Sequence, residues 1–466
     1  MTRRGFMKVA AMGAGVAAAG GCAASGGSAR PGARRITVAD TGCEFEREPL
    51  LRPFGFKGGY LTNIWQSAAM IRSTSGKHGI GICTHSTLWS DAKVFAEHSE
   101  SAGNALMFAM TAHALRLLKG QTFTDPVALN DDLFEEVYRY GKQITRHPKL
   151  RQTFALNALV GVDNAAWLLY AKENGLTTFD ALIPEAYRPA LAQRHPKVAS
   201  IPLMAYAIPI PEIRQAVNDG YFFMKIKIGQ PGTQQEMLEK DMARLSAIHA
   251  ALDGCRTPYS VSGKLPYYFD ANGRYEKKET LLRLLDHAKK IGAFEQIALI
   301  EEPFDEENEI DVHDIPVRLA ADESAHTDKD AVKRIEMGYR AIALKAIAKT
   351  LSMTMKIARV AHDKGVPCFC ADLTVNPILV EWNKCVAARL GSFPGLEGLG
   401  LLETNGHQNY KNWATMRSYH PHPDAAWSKT ERGVFNLDAD YYAKSGGIFA
   451  PLPHYEAMFP GLTQRG

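Results

Sequence analysis

The sequence predicts an α/β protein in which a parallel βα barrel follows a separate N-terminal α+β domain. From about residue 200, short runs rich in β-branched and aromatic residues alternate with stretches of helical periodicity, and eight such runs favour one parallel barrel. Between about residues 36 and 150, a hairpin pattern is followed by long helices instead. An open doubly wound sheet is disfavoured because no glycine-rich phosphate-binding sequence follows the first run.

The eight predicted barrel strands are apolar runs that end in polar or turn-forming residues. Nearly every interval between them has room for a helix, and three intervals show clear helical periodicity. These helices are predicted at 233–252, at 279–292 and at 352–365, where the last ends in a glycine. The predicted strands are IPLMAYAIP, YFFMKIKIG, PYYFDAN, IALIEEP, VRLAADES, RAIALKA, VPCFCAD and LEGLGLLE.

The N-terminal domain is predicted from a hairpin, IWQSAAMIRSTSGKHGIGICTH around Gly76, and from helices such as AGNALMFAMTAHALRLLKG. The segment after Glu403 is rich in His, Pro, Trp and Tyr, and we expect it to return to this domain. The predicted parts of the chain are an export signal and tether at 1–35, an α+β domain at 36–150, a barrel at 151–402 and a C-terminal segment at 403–466.

The start of the chain has the features of an export signal. TRRGFMK, with Arg3 and Arg4, precedes a weakly apolar run that is shorter than the about 20 residues needed to span a bilayer. This start resembles a twin-arginine signal, which exports folded proteins. AGGC resembles a lipoprotein processing site that would make Cys22 a lipid-modified N-terminus, and ordinary cleavage near Ala24 is the alternative. We therefore expect a periplasmic protein, or one that is lipid-anchored at the cell envelope.

Composition excludes several classes of protein. The chain has 466 residues, of which 46% are hydrophobic and 22% charged, and its formal net charge of +4 provides no basic surface for nucleic acid. The cysteines after Cys22 are too few for a disulfide scaffold and lack the spacing of a zinc site. The composition is compatible with a homo-oligomer. The cysteines are Cys43, Cys83, Cys255, Cys368, Cys370 and Cys385.

Charged residues recur at the C-terminal ends of successive predicted strands. In a parallel barrel these ends converge at one mouth, where barrel enzymes have their active sites. Each residue alone would be interpreted as a helix cap or a surface ion pair, but their common position favours one shared site. The series consists of Lys225 and Lys227, Asp270, Glu301 and Glu302, Asp322 and Glu323, and Lys345.

Three of these carboxylates predict a metal site. Asp270, Glu301 and Asp322 follow adjacent strands, and each interval between them accommodates one helix and one strand. Carboxylates without a His or Cys cluster suit a hard cation such as Mg²⁺. Water and a bidentate anionic substrate would complete the coordination of this ion.

Lys227 and Lys345 are predicted on opposite sides of the site, because strands two and six of an eight-stranded barrel face each other. A substrate between them would lose a proton from one face of a carbon and regain it on either face. Proton loss next to a carboxylate requires stabilisation of an enediolate, which a dication and Lys225 would supply. The alternative, that Lys225 and Lys227 extend from an edge strand into solvent, is disfavoured by their apolar neighbours.

These residues together resemble a known family. MKIKIG, YYFDANG, LIEEPF, AADES and ALKAIAKT resemble, in order and spacing, the enolase superfamily, in particular its mandelate racemase and muconate lactonizing enzyme branch. MIRSTSGKHGIG is similar to the hairpin of the family's capping domain, and VGVDNAAWLLYAKENGL to the helix that enters the barrel. The resemblance covers about residues 45–405. It implies a modified (β/α)7β TIM-type barrel with an N-terminal α+β capping domain, and Mg²⁺-assisted removal of the α-proton of a carboxylate.

The resemblance also implies a role for each site residue. Asp270, Glu301 and Asp322 match the metal ligands. Lys227 matches the base on the second strand, and Lys225 matches the neighbour that contacts the substrate carboxylate. Lys345 matches the base on the sixth strand in the lysine/lysine, muconate lactonizing type.

Some positions depart from the family pattern or have two interpretations. KTLSMT stands where a glycine pair usually follows the sixth strand, so we expect a different loop there. Glu403, Asn405 and His407 stand where dipeptide epimerases have an acidic DxD motif. Asp372 is either a substrate contact or a cap of the next helix. Residues of the capping loops are expected either to close over a ligand or to form interdomain core, namely Lys57, Tyr60, Trp65 and Trp89.

The sequence therefore predicts an enzyme that acts on a small-molecule carboxylate, with a racemase or epimerase of an amino-acid, peptide or hydroxy-acid substrate as the leading interpretation. A dehydratase or cycloisomerase would use the same metal and lysines and would differ in the leaving group. A non-catalytic lipoprotein that binds anions is the third interpretation. It is disfavoured because binding alone needs no second lysine opposite the first.

Overall fold

A computed structural model of the chain describes residues 32–57 and 59–463. The predicted twin-arginine sequence and the predicted lipid attachment site at Cys22 lie outside these residues. The fold is the predicted one, an α/β barrel with an N-terminal antiparallel sheet domain, so the predicted fold class is confirmed.

The N-terminal domain is a four-stranded antiparallel sheet with the order β3, β2, β1, β4. The predicted hairpin is formed by β2 and β3, and Gly76 in its turn has a φ of +91°, a conformation that favours glycine. The strands are β1 (Ile36–Phe56), β2 (Gly59–Ser73), β3 (His78–His85) and β4 (Thr122–Phe123), and the helices are α1 (Thr87–Ser90), α2 (Ala92–Glu97), α3 (Glu100–Leu118), α4 (Pro126–Thr145) and α5 (Gln152–Asn174).

Helix α5 joins the two domains. It lies so close to β3 that a Cβ atom at Gly81 would be 2.1 Å from the carbonyl oxygen of Gly161, which only glycine permits. Asp163 of α5 accepts hydrogen bonds from the side chain and the main-chain N–H of Ser352, at the start of a barrel helix. The helix is long and apolar enough to cross a membrane, but its apolar stretch is entirely buried inside the protein.

The barrel contains the eight predicted strands in the predicted order, and neighbouring strands pair in parallel. Its first strand begins earlier than predicted, at Lys197, and is split in two by Pro202, which has no amide hydrogen to donate. The strands are β5 (Lys197–Ile201) with β6 (Leu203–Met204), β7 (Met224–Lys227), β8 (Tyr267–Asp270), β9 (Ile297–Glu301), β10 (Leu319–Ala321), β11 (Ala341–Leu344), β12 (Cys368–Cys370) and β13 (Gly400–Glu403).

The barrel closes through this split first strand. The half before Pro202, β5, pairs with the last strand β13, while the half after it, β6, pairs with β7. The main-chain carbonyl of Pro202 itself accepts a hydrogen bond from Lys225 on β7. The C-terminal ends of all eight strands therefore surround one mouth.

Helices follow the barrel strands except in one interval. The expectation of a helix between Glu301 and Asp322 is wrong, because residues 302–318 form a loop. This segment contains Pro303 and Pro316 and a run of acidic residues, which oppose helix formation. The helices before and within the barrel are α6 (Phe179–Leu182), α7 (Ile210–Asn218), α8 (Gln234–Leu252), α9 (Lys278–Lys290), α10 (Asp328–Glu336), α11 (Leu351–Asp363), α12 (Pro377–Ala387) and α13 (Gly406–Asn409).

The C-terminal segment contacts both domains. Its strand β15 pairs with β5 of the barrel. The N–H of Lys411 donates to the carbonyl of Pro49 in the N-terminal domain, and the His454 ring lies within 3.1 Å of the Glu46 carboxylate. The elements are α14 (Trp413–Ser418), β14 (Thr430–Glu431), β15 (Val434–Asn436), α15 (Ala439–Lys444), α16 (Pro453–Glu456) and α17 (Pro460–Thr463).

Candidate active site

The structure brings the predicted site residues together at the mouth of the barrel. Two lysines lie on β7, two carboxylates end β8 and β9, and the remaining carboxylate and lysine directly follow β10 and β11. All of these side chains are buried. They are Lys225, Lys227, Asp270, Glu301, Asp322 and Lys345.

The two lysines of β7 contact different partners. Lys225 Nζ lies 2.9 Å from Asp270 Oδ2 and 2.9 Å from Glu301 Oε1, so it bridges two of the predicted metal ligands. It also donates to Glu403 Oε2 at 3.2 Å. Lys227 Nζ donates to Asp270 Oδ2 and to Asn272 Oδ1, both at 2.5 Å. Because Lys227 also lines the cavity at the mouth, it is placed to meet a bound molecule.

On the other side of the barrel, Asp322 is held by two further lysines. Lys345 Nζ donates to Asp322 Oδ2 and lies over the ring of Trp89, 4.3 Å from its centroid. Lys349, four residues later in the loop before α11, is fully buried and donates to the main-chain carbonyls of Asp322 and Ala325. Its ammonium is also 3.4 Å from Asp322 Oδ1.

Burial and neighbouring charges shift the pKa values of these groups. Burial would raise the pKa of Asp270, but Lys225 and Lys227 outweigh it and lower this pKa to about 2. Asp322 shows the same balance, with Lys345 as the main cation, and its pKa is also lowered. Burial raises the pKa of Glu301 well above its usual value, and the charge of Asp270 adds to the rise. The site therefore places two carboxylates with lowered pKa values beside one with a raised pKa.

The carboxylates offer a place for a divalent cation. One oxygen each from Glu301, Asp322 and Glu323 lies within 4.8 Å of the others. Glu323 Oε2 is buried without a hydrogen-bond partner among the described residues, and Asp322 Oδ1 is buried with only the Lys349 ammonium nearby, at 3.4 Å, so both oxygens would be stabilised by a further cation. Asp270, the third predicted ligand, adjoins this group through Lys225. The residues present thus fit a hard, oxygen-preferring cation.

Backbone conformations at the mouth are unusual. Non-glycine residues with positive φ follow the third, fourth, sixth and seventh barrel strands, and another lies at the end of β1. Such conformations cost about 1–3 kcal/mol each and are concentrated at functional sites. The residues are Asn272 (φ +45°), Glu302 (+39°), Thr350 (+70°), Thr374 (+57°) and Lys57 (+48°).

The N-terminal domain covers the mouth with apolar side chains. Phe54 and Phe56 of β1, Leu61 of β2 and Trp89 of α1 line the cavity together with the lysines. Lys57 joins this cover to the barrel, because its Nζ lies 2.9 Å from Glu323 Oε1 and donates to the carbonyl of Trp89. The cavity that remains has a volume of about 30 Å³.

The four capping residues considered from sequence have different positions. Lys57 and Trp89 contact site residues, as described above. Tyr60 is 64% exposed, and Trp65 is stacked on Phe45 within the N-terminal sheet at a centroid distance of 4.1 Å. Asp372 lines the cavity and accepts from the N–H groups of Val375 and Asn405, whereas the next helix, α12, is capped by Asn376, so the interpretation of Asp372 as a helix cap is wrong.

Three residues in the site were not predicted from the sequence, namely Asn272, Tyr268 and Lys349. The side-chain oxygen of Asn272 accepts a hydrogen bond from Lys227, and its side-chain nitrogen donates one to Glu323. The hydroxyl of Tyr268 donates a hydrogen bond to Glu301. Asn272 lies two residues after Asp270, where a polar residue at a strand end is a detectable signal. Lys349 lies in a helix-like stretch of sequence and gives no such signal.

Comparisons with known proteins agree with this architecture. Residues 210–417 match the family model described as enolase C-terminal domain-like. A mandelate racemase/muconate lactonizing protein from Herpetosiphon aurantiacus has a similar structure, with a TM-score of 0.58, 15% identity, and coverage of 86% of this chain and 96% of that chain. A dipeptide epimerase from Enterococcus faecalis V583, complexed with Mg and L-Leu-L-Tyr, has a TM-score of 0.57, 14% identity, and coverage of 80% and 92%.

The L-Ala-D/L-Glu epimerase from Bacillus subtilis is also similar, with a TM-score of 0.56, 15% identity, and coverage of 81% of this chain and 90% of that chain. No curated protein sequence matches this chain. Fold and site together define a barrel enzyme with a carboxylate cluster at the barrel mouth. Over residues 210–417 the barrel is thus similar to the enolase C-terminal domain-like family.

Proposed function

We propose that the protein removes the α-proton of a carboxylate substrate and returns a proton to the same carbon, as a racemase or epimerase of the lysine/lysine type. The observation that carries this proposal is that Lys227 and Lys345, from strands on opposite sides of the barrel, line one buried cavity. A carbon held between them would have one amine on each face.

The neighbours of the two lysines support separate roles. Lys227 is oriented by Asp270 and Asn272, and the deprotonated amine would take the proton. Lys345 is oriented by Asp322 and by the ring of Trp89, and its ammonium would deliver a proton from the other face. Lys225 lies between the acidic residues of the third, fourth and eighth strands, where its ammonium would pair with the substrate carboxylate.

The proposed cofactor is Mg²⁺, held by Asp270, Glu301 and Asp322. When bound, it would neutralise the negative charge that develops on the substrate carboxylate as the proton leaves. Support comes from the buried Asp322 Oδ1, which accepts no hydrogen bond from the described residues, and from the Mg in the similar Enterococcus faecalis dipeptide epimerase structure. Glu323 already accepts from Lys57 and Asn272, so we assign it to orienting the site and not to the ligand set.

Export by the twin-arginine route, to the periplasm or to a lipid anchor at Cys22, is the second part of the proposal and rests on the sequence of residues 2–22. Amino-acid, peptide and hydroxy acids from the cell envelope are then reasonable substrates. Mass spectrometry of the mature N-terminus in envelope fractions tests this part. A cytoplasmic protein that retains residues 1–31 would contradict it.

The experiment for the activity is a screen of such acids with MgCl₂ in D₂O, followed by NMR and polarimetry. Racemisation gives deuterium at the α-carbon together with loss of optical rotation, whereas elimination or cycloisomerisation gives a new product. We expect Lys227→Ala and Lys345→Ala each to abolish turnover, because each removes one of the two proton-transfer groups. Lys364→Ala, on the surface of the protein, is the matched control. Full turnover in either site variant would overturn the proposal.

A further inference from the structure

We infer that the substrate is a carboxylate whose remaining substituent is apolar and carries no second anionic group. This inference rests on the proposed function, and it deepens that function by naming a class of substrate. It follows from the side chains that face the two catalytic lysines and from the charges already paired around them.

The cover of the site presents one apolar face to the lysines. Phe54 and Phe56 lie two residues apart on β1 and therefore point to the same side, and Leu61 is paired directly with Phe54. All three are buried and line the cavity. The Phe56 ring centroid is 5.7 Å from Lys227 Nζ, so a substituent on the reacting carbon would meet this face.

The barrel adds apolar groups at the edge of the same cavity. Leu203 comes from the first strand and Leu373 from the loop after the seventh strand, and both are buried in the cavity wall. Trp89 adds an aromatic surface beside Lys345. A substrate with an apolar substituent would replace water on these surfaces, which is favourable by roughly 25 cal/mol per Å² of apolar area buried.

Cations near the cavity are already paired. Lys225 has three carboxylate partners and is assigned in the proposed function to the α-carboxylate of the substrate, and Lys57 is bound to Glu323 and to a carbonyl oxygen. Within the described part of the chain, the cavity lining includes neither Arg nor His. The residues around the mouth offer no further cation that could pair with a second anion.

Acidic groups make a second anion unfavourable. Asp372 and Glu403 line the cavity on the side of the seventh and eighth strands. A second carboxylate or a phosphate on the substrate would face these carboxylates or the apolar cover, and a buried anion without a partner is strongly destabilised. Substrates with two carboxylates are therefore rejected by charge as well as by lost apolar contact.

The test compares carboxylic acids in matched pairs that are identical except for one substituent on the α-carbon. This substituent is an isobutyl group in one acid and a carboxyethyl group in the other. Calorimetric titration in MgCl₂ measures the binding of each acid to the full-length mature protein. We expect the isobutyl acids to bind at least about 30-fold more tightly, since a penalty of about 2 kcal/mol corresponds to this factor. Equal binding within pairs, tighter binding of the carboxyethyl acids, or binding of neither would overturn the inference.

A variant reverses the predicted preference. Leu61→Lys places an ammonium on the inner face of the cover, and we expect it to raise the affinity for the carboxyethyl acids at least about tenfold, which is 1.4 kcal/mol. Leu61→Met is the matched control and should keep the original ratio. If Leu61→Lys does not fold, Phe54→Arg provides the same test from the adjacent position.

The exchange assay in D₂O separates this inference from the proposed function. Exchange of the carboxyethyl acids at rates equal to those of the isobutyl acids would leave the function standing and overturn the substrate class. Binding with the expected preference but without exchange of any α-proton would support the substrate class and overturn the function.

Discussion

Lys349 Nζ donates a hydrogen bond of 2.6 Å to the main-chain carbonyl of Asp322. A second bond, of 3.0 Å, goes to the carbonyl of Ala325. The buried lysine thus ties the loop after the sixth strand to the loop after the fifth, which carries a predicted metal ligand. Lys349 and Thr350 belong to the KTLSMT stretch, for which the sequence predicts a different loop.

Replacing Lys349 by Met removes this tie while keeping the length of the side chain. We expect the free energy of unfolding to fall by at least about 2 kcal/mol, because two buried carbonyl groups lose their donor. Urea denaturation measures the change. Lys364→Met, at the exposed C-terminal end of α11, should change stability by less than about 0.5 kcal/mol. If both variants unfold at the same urea concentration as the natural protein, Lys349 does not hold the two loops together.

Thr350 tests the strain at the mouth. Its φ of +70° is unfavourable for a residue with a Cβ, although its hydroxyl accepts a hydrogen bond from the N–H of Met353. Glycine at position 350 would relieve the backbone strain, which stabilises the fold by about 1–3 kcal/mol. Replacing the N-cap threonine by glycine costs only a few tenths of a kcal/mol, and the greater freedom of glycine in the unfolded chain costs about 0.4–1 kcal/mol. We expect Thr350→Gly to be more stable than Thr350→Ala by about 1–2 kcal/mol in thermal or urea unfolding. The opposite order would show that this backbone is not strained.

The proposed metal ligands are distinguished by titration with Mn²⁺, monitored by the EPR signal of the free ion. Loss of a residue that orients a metal ligand without touching the ion typically weakens metal binding by roughly 10- to 100-fold. We expect Glu323→Gln to weaken Mn²⁺ binding within this range. We expect Asp270→Asn, Glu301→Gln and Asp322→Asn each to weaken it by more. Strong loss in Glu323→Gln with little change in Asp270→Asn would identify the geometric cluster of Glu301, Asp322 and Glu323 as the ligand set.

Asp163 predicts a pH dependence of stability. Burial raises the pKa of this carboxyl to about 7, although hydrogen bonds from Ser352 oppose the rise. The unfolded chain has an Asp pKa of about 3.9, so the folded state binds the proton more tightly between these values. The contribution of Asp163 to stability is therefore complete below about pH 4 and is lost as the pH rises to about 7.

The measurement is urea unfolding at several pH values from 4 to 8. The stability of the natural protein relative to Asp163→Asn should fall as pH rises, by up to about 1.4 kcal/mol per pH unit. Asp286→Asn, at an exposed position, should differ from the natural protein by an amount that does not vary with pH. A constant difference for Asp163→Asn as well would show that this carboxyl has an ordinary pKa in the fold.

The barrel was predictable because its strands are buried on both faces and appear as short apolar runs, each followed by charged residues at the mouth. Lys225 and Lys227 were recognisable for the same reason, since a polar side chain on an apolar strand needs a partner. The loop at 302–318 was missed because its length alone allowed a helix. Lys349 was missed because its burial depends on Asp322 and Ala325, which reach it only through the tertiary fold.

The ion pair between Lys57 and Glu323 has a consequence for the timing of catalysis. About 30 Å³ remains beneath the cover, which is less than the volume of a typical small-molecule site. If the protein acts as proposed, the cover moves to admit a substrate, and separation of Lys57 from Glu323 would be part of each turnover. An opening slower than proton removal would then limit kcat.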